Sequence, residues 1–290
     1  MIKQFIKDTK NFLLKKPKLV RLAFLVGFCR SLSVILLLAY NINNVLIYRF
    51  DKGLSVFTVF QYFIDEITRN HIVGLVIIIA IFIAIGYIFL YPMGISATIH
   101  FLNNKKESIS KAVGKGANDF FTMFELNALA FSFGPYTYLV TILRLITLDV
   151  LNSGFVIGLI ILWGLIVLIS SIFWQYAKFL IVEEDLGVFE AIKKSMGITV
   201  TNMGITLKGV IVKFIISCMF YFKMIIVISA PLLLIYFLIS TNIIHSNNER
   251  IIRTIGIITT IIATYILSTI QAFFITFRHK IYHHILEKKD

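Results

Sequence analysis

Long apolar runs alternate with short charged segments along the whole chain. Residues 72–99 include "IVGLVIIIAIFIAIGYIFLYPMG", which carries no charge, and similar runs cover about 121–147, 154–178 and 251–277. A further run lies within 19–48 and another within 204–240. A helix of about 20 mostly apolar residues crosses a hydrocarbon core about 30 Å thick, and it does so because its backbone N–H and C=O groups bond to one another. The pattern therefore predicts an all-α polytopic membrane helix bundle with six transmembrane helices. Segment 204–240 is nearly twice the length one crossing needs and contains Lys208, Lys213, Lys223 and Pro231. A long tilted helix, a broken helix, or an interfacial helix followed by a span all fit it.

Between the fourth and fifth runs lies "FLIVEEDLGVFEAIKKSMGITVTN", residues 179–202. From Val188 and Phe189 its apolar residues Ile192, Met196 and Val200 follow at steps of three or four, with Glu190, Lys193, Lys194 and Ser195 elsewhere around the helix. That is the period of an amphipathic helix. The segment after the second run, "FLNNKKESISKAVGKGANDFF", reads similarly. Phe101-Leu102 aligns with Phe179-Leu180, Lys105-Lys106-Glu107 with Glu183-Glu184-Asp185, and, after one inserted residue, Lys111-Ala112-Val113 with Glu190-Ala191-Ile192. Each copy follows a span running inward and precedes one running outward. A parallel pseudo-repeat with two cytoplasmic amphipathic helices is expected, related by an axis along the membrane normal.

Composition agrees with this class. Hydrophobic residues make up 58% of the 290, mean hydropathy is +0.89, and charged residues are 15%, against roughly 25% in soluble domains. The net charge of +13 is unevenly spread. With the N-terminus inside, the inner face receives Lys3, Lys7, Lys10, Lys15, Lys16, Lys18 and Arg21, the loop lysines 105, 106, 111 and 115, then Lys178, Lys193 and Lys194, and Arg278, Lys280, Lys288 and Lys289. The outer side receives Arg49, Lys52, Arg69, Arg250 and Arg253, with Arg144 near its edge. Cytoplasmic loops retain Lys and Arg, so both termini are expected in the cytoplasm of a bacterial cell. The partner of this basic face is the anionic headgroups of the bilayer, not nucleic acid.

Three regions follow. Residues 1–18 form a basic amphipathic interfacial segment, with Ile2, Phe5, Ile6 and Leu13 at helical spacing against lysines, read as an uncleaved anchor because no A-x-A site follows. Residues 19–278 form the six-span domain, and 279–290 a basic cytoplasmic tail. Cys29 and Cys218 fall within predicted spans, where thiols act as small hydrophobes.

Ionisable groups inside spans are costly and mark candidate sites. Arg30, Glu125 and Lys213, with the amide of Asn127, form a candidate polar cavity, in which Glu125 and Lys213 enter from the same side. Lys111, Glu190, Lys193 and Lys194 mark the candidate cytoplasmic docking helices. The Gly134-Pro135 step predicts a kink in the third span. His279, His283 and Glu287 recur at i+4, a spacing that can hold a metal on one helix face, but a four-ligand site needs further donors. The expectation is therefore no metal, no cofactor and no catalytic residue. HExxH, GxSxG and Walker motifs are missing from the sequence.

A span ending in Glu183-Glu184, then Gly187 and a helix reading Glu190-Ala191-Ile192-Lys193 with Ser195, resembles a group of bacterial six-helix membrane proteins of unknown function. It is also similar to the membrane domain of some glycerophosphoryl diester phosphodiesterases. The resemblance implies a six-helix fold with cytoplasmic amphipathic helices and carries over no catalytic residue. The expected function is non-enzymatic: handling or transport of lipids or small amphiphiles, or membrane scaffolding. One alternative is a permease-like subunit docking a cytoplasmic partner such as an ATPase. The Glu190-Ala191 start with Gly197 resembles the coupling loop of importer permeases, although the glycine stands one residue late. The other is a lipid-modifying enzyme with an unrecognised site.

Overall fold

The computed structural model describes residues 2–24, 26–28, 31, 71–104, 107–147, 150, 153–240 and 249–287. Most of the first predicted span, with Arg30 and Cys29, lies outside these residues. Every regular element among the described residues is helical: α1 (Ile2–Lys15), α2 (His71–Asn103), α3 (Ile109–Asn118), α4 (Phe120–Ser132), α5 (Pro135–Thr147), α6 (Gly154–Phe173), α7 (Ala177–Glu184), α8 (Val188–Thr201), α9 (Met203–Ser240) and α10 (Glu249–Leu286). Residues 17–24 and 26–28 are helical as well. Among the described residues, four helical segments are long and apolar enough to cross a bilayer: Ile85–Asn103, Phe120–Ile146, Gly154–Glu184 and Met203–Phe220. The chain is a membrane protein whose described regular structure is all helical.

Local chemistry sets the helix ends. Gly134-Pro135 interrupts the third run, because Pro135 is suited to a first helical turn and has no N–H to continue α4. The Phe131 carbonyl, which Pro135 leaves without its usual donor, is bonded: Gly134 N–H donates to it at 3.1 Å and Thr137 Oγ1 at 2.6 Å. The fourth run is also interrupted, by a turn over 174–176 between α6 and α7. α7 ends at Asp185, whose φ of 53° is left-handed, a conformation that stops a helix and that Asp tolerates better than branched residues. Segment 204–240 falls within one helix of 38 residues, α9.

The chain divides into two compact units, one of residues 1–31 with 202–290 and the other of 32–201. In the unit 32–201, α2 packs on α3, α4 and α7, and α8 packs on α4, α6 and α7. Its core is the C-terminal part of α2 (Ile95, Ala97, Ile99, Phe101, Leu102) together with Phe179, Leu180 and Ile181 of α7, all buried. In the other unit, α10 packs on α1 and α9. Its buried stripe Thr264, Ser268, Ala272 and Thr276 recurs every four residues. The hydroxyls turn back on their own helix, Ser268 to Thr264 C=O at 2.6 Å and Thr276 to Ala272 C=O at 2.9 Å. Small side chains allow helices to close in where lipid supplies no hydrophobic drive for association. A Cβ on Gly27 would stand 2.8 Å from Ser268 O, so that approach requires glycine.

Candidate functional site

The unit 32–201 holds a side-open, largely apolar cleft between α2 and α4, with a volume of about 220 Å³. Tyr87, Ile88, Tyr91 and Pro92 form one wall, and Phe124, Asn127, Ala128 and Phe131 the other. Pro92 lies inside α2, where it has no N–H to offer the Ile88 carbonyl. Ala128 makes room between two phenylalanines. Asn127 is the one side-chain amide in the lining, and its Nδ2 donates to Met123 C=O at 2.7 Å, which leaves the amide oxygen as an acceptor. The cleft offers an aromatic surface and a single amide, a combination that suits an alkyl chain with one polar group.

Of the predicted cavity residues, Asn127 lines this cleft. Glu125 sits on the same helix but is exposed and outside the lining. Lys213 belongs to the other unit, where its ammonium lies 5.8 Å from the centroid of the Phe274 ring, a cation–π arrangement.

A second polar group gathers where α2 meets α3 and α4. Ser96 Oγ donates to Asp119 Oδ2, and His100 Nε2 lies 2.9 Å from the same oxygen. A hydrolytic triad places the imidazole between hydroxyl and carboxylate. Here the carboxylate stands between the other two, and Ser96 is fully buried. The trio therefore ties the end of α2 to the α3–α4 junction without activating a nucleophile. Nearby, Lys115 Nζ is 2.9 Å from Glu107 Oε1. The hydrogen bond from Lys115 holds the Glu107 carboxyl below its ordinary range, against an opposing effect of desolvation, with the charges of Lys115, Lys111 and His100 adding to the lowering. Ser108 caps α3 by accepting from Lys111 N–H at 3.3 Å.

The predicted docking residues Lys111, Glu190, Lys193 and Lys194 are all exposed, and Lys194 pairs with Glu184. α8 has three faces, not two. Val188, Ala191, Ile192, Ser195, Ile198 and Thr199 are buried. Phe189, Met196 and Val200 form an exposed apolar flank, bordered by Lys193, with Phe189 80% exposed. Glu190, Lys194 and Gly197 occupy the remaining face. Ser195 belongs to the buried face because its hydroxyl donates to Phe173 C=O and accepts from Tyr176 N–H at 3.2 Å, linking α8 to the turn between α6 and α7.

No protein-family model, curated protein or solved structure matches this chain.

The sequence reading missed Ser96, His100, Asp119 and the Glu107–Lys115 pair. A signal existed in Ser96 and His100, which stand four apart in an otherwise apolar helix. Their partner Asp119 comes 19 positions after His100, across a loop whose path a sequence does not reveal.

Proposed function

We propose that this is a non-enzymatic membrane protein of the bacterial cytoplasmic membrane that binds single lipids or small amphiphiles in the cleft between α2 and α4. In this reading the chain crosses the bilayer six times with both termini inside, and α3 and α8 are the two inner helices of a parallel duplication. The uneven spread of lysine and arginine supports that orientation. The duplication is supported by the small residues Gly116 and Ser195, which fall at the same register of the two aligned segments and meet the backbone of the preceding long helix, α2 at Met93 and Ala97 and α6 at Phe173 respectively. The six-helix membrane proteins that the acidic-pair segment resembles are proposed as its relatives.

The observation that carries the ligand class is the lining. Seven of its eight residues present rings or aliphatic carbon and the eighth is Asn127, so an acyl chain is accommodated and a highly polar solute is not. The lysines assigned to the inner face would favour an anionic headgroup.

The test is mass spectrometry of lipid retained by protein purified in detergent, wild type against Ala128→Trp, which fills the cleft. The wild type should retain a defined lipid class and A128W should lose it. A wild type that carries none, or an A128W protein that retains the same lipid, rejects the reading.

A further inference from the structure

His279 and His283 stand one turn apart on α10, and their Nε2 atoms are 3.1 Å from each other, with ring centroids 4.3 Å apart. Two side chains at i and i+4 share a helix face, but face sharing alone does not bring ring tips together. Both imidazoles must turn their outer nitrogens toward one point. Two imidazoles bound to one tetrahedral Zn²⁺ at Zn–N distances of about 2.0–2.1 Å have their nitrogens about 3.3–3.4 Å apart. The observed 3.1 Å is that of a hydrogen bond between the two rings, and a bound ion would replace it with a spacing only a few tenths of an ångström longer.

The surroundings fit a site. His279 is only 8% exposed, and Tyr282, Ile281 and Ile285 around the same turn are buried, so the ring positions are fixed by packing. Lys280, the adjacent cation, has its ammonium over the ring of Phe12, 5.4 Å from the centroid, and so is engaged with α1. His284 is turned to Phe5, with ring centroids 5.3 Å apart. Glu287, one turn beyond His283, is an exposed carboxylate on the same helix.

We propose that His279 and His283 together bind a borderline divalent transition-metal ion, of the class of Zn²⁺, Co²⁺, Ni²⁺ or Cu²⁺, through their Nε2 atoms. Neutral imidazole is the preferred donor for these ions, whereas Mg²⁺ and Ca²⁺ require oxygen ligands. The site shares no residue with the lipid cleft and does not depend on the lipid reading.

The experiment uses full-length protein in detergent, purified through a tag without histidine. Zn²⁺ is titrated calorimetrically, with Mg²⁺ as the control ion. One site per chain is expected for Zn²⁺ and none for Mg²⁺. His279→Ala and His283→Ala should each weaken binding by roughly tenfold or more, while His284→Ala should bind as the wild type does. Either of the first two variants binding with unchanged affinity overturns the proposal. Should those variants fail to fold, pulsed electron paramagnetic resonance on wild type carrying one equivalent of Cu²⁺ decides: two coordinated imidazoles support it, and one or none overturns it.

Discussion

Lys115 Nζ stands 2.9 Å from Oε1 of Glu107, and only 3% of the Glu107 side chain is exposed. The pair closes the loop leaving α2 onto the helix that follows it. Because the folded carboxyl has a lowered pKa, the folded state holds its proton less tightly than the unfolded chain does. The stabilisation is complete above the ordinary value of 4.5 and is lost as pH falls through the lower folded value. Unfolding midpoints in detergent, followed from pH 7 to acid, should fall for the wild type in that window. Lys115→Met should remove this contribution and make the acid-dependent fall shallower. An identical pH profile for wild type and variant would show that the pair has no such role.

Gly116 and Ser195 are the small residues at which α3 and α8 meet the backbone of the longer helices α2 and α6. A Cβ on Gly116 would stand 2.5 Å from Met93 O and 2.8 Å from Ala97 N, both backbone atoms that do not give way cheaply. Gly116→Val should therefore cost about 1–3 kcal/mol by overpacking. Ser195→Ala removes one hydrogen bond given and one received and should cost about 1 kcal/mol, more if Tyr176 N–H is left unpaired. Thermal or denaturant unfolding of the purified variants measures both. Gly116→Ala should already show part of the valine effect, because the conflict begins at Cβ.

The helices were legible where polarity and covalent chemistry act locally. The run at 72–99 is α2 within a few residues, and Gly134-Pro135 breaks the third run as a proline without an N–H requires. What the pattern could not assign was which apolar medium each residue faces. Val188 and Ile192 read as one stripe with Phe189, Met196 and Val200, yet the first two are buried against protein and the other three are exposed. Lipid and protein interior are equally apolar, so hydropathy does not separate them. Ser195 was grouped with the charged residues because its two backbone partners, Phe173 and Tyr176, are 22 and 19 positions away. For the same reason the i+4 spacing of His279 and His283 was visible but the meeting of their nitrogens was not. Asn127 and Glu125 both stand out as polar positions in an apolar run, and the run does not tell that Asn127 lines a cleft and Glu125 does not.

The exposed flank of α8 distinguishes lipid from a protein partner. Phe189, Met196 and Val200, with Lys193 at their border, have the make-up of a helix lying at the membrane interface, its apolar side among acyl chains and its ammonium among headgroups. A single tryptophan at position 189, with Trp163 and Trp174 replaced by Phe, reports the medium. In proteoliposomes its fluorescence should be quenched by lipids brominated near the headgroup end of the chain. Quenching by aqueous iodide in place of lipid bromine would put the flank in water, where a cytoplasmic protein could dock on it.

The proposed topology makes its own demand on Lys111 and Lys193. Two crossings separate them, one through α4 and α5 and one through α6 and α7, so both must lie on the same side if each pair of helices spans once. In the proposed orientation that side is the cytoplasm, where loops retain lysine. With Cys29 and Cys218 replaced by serine or alanine, Lys111→Cys and Lys193→Cys should both resist a membrane-impermeant maleimide applied to intact cells. Both should react once the membrane is opened, since both positions are exposed. Labelling of one position but not the other from outside would break the parallel repeat. Labelling of both from outside would preserve the repeat and invert the protein, a result that would send the basic face, and the anionic lipids proposed to meet it, to the opposite leaflet.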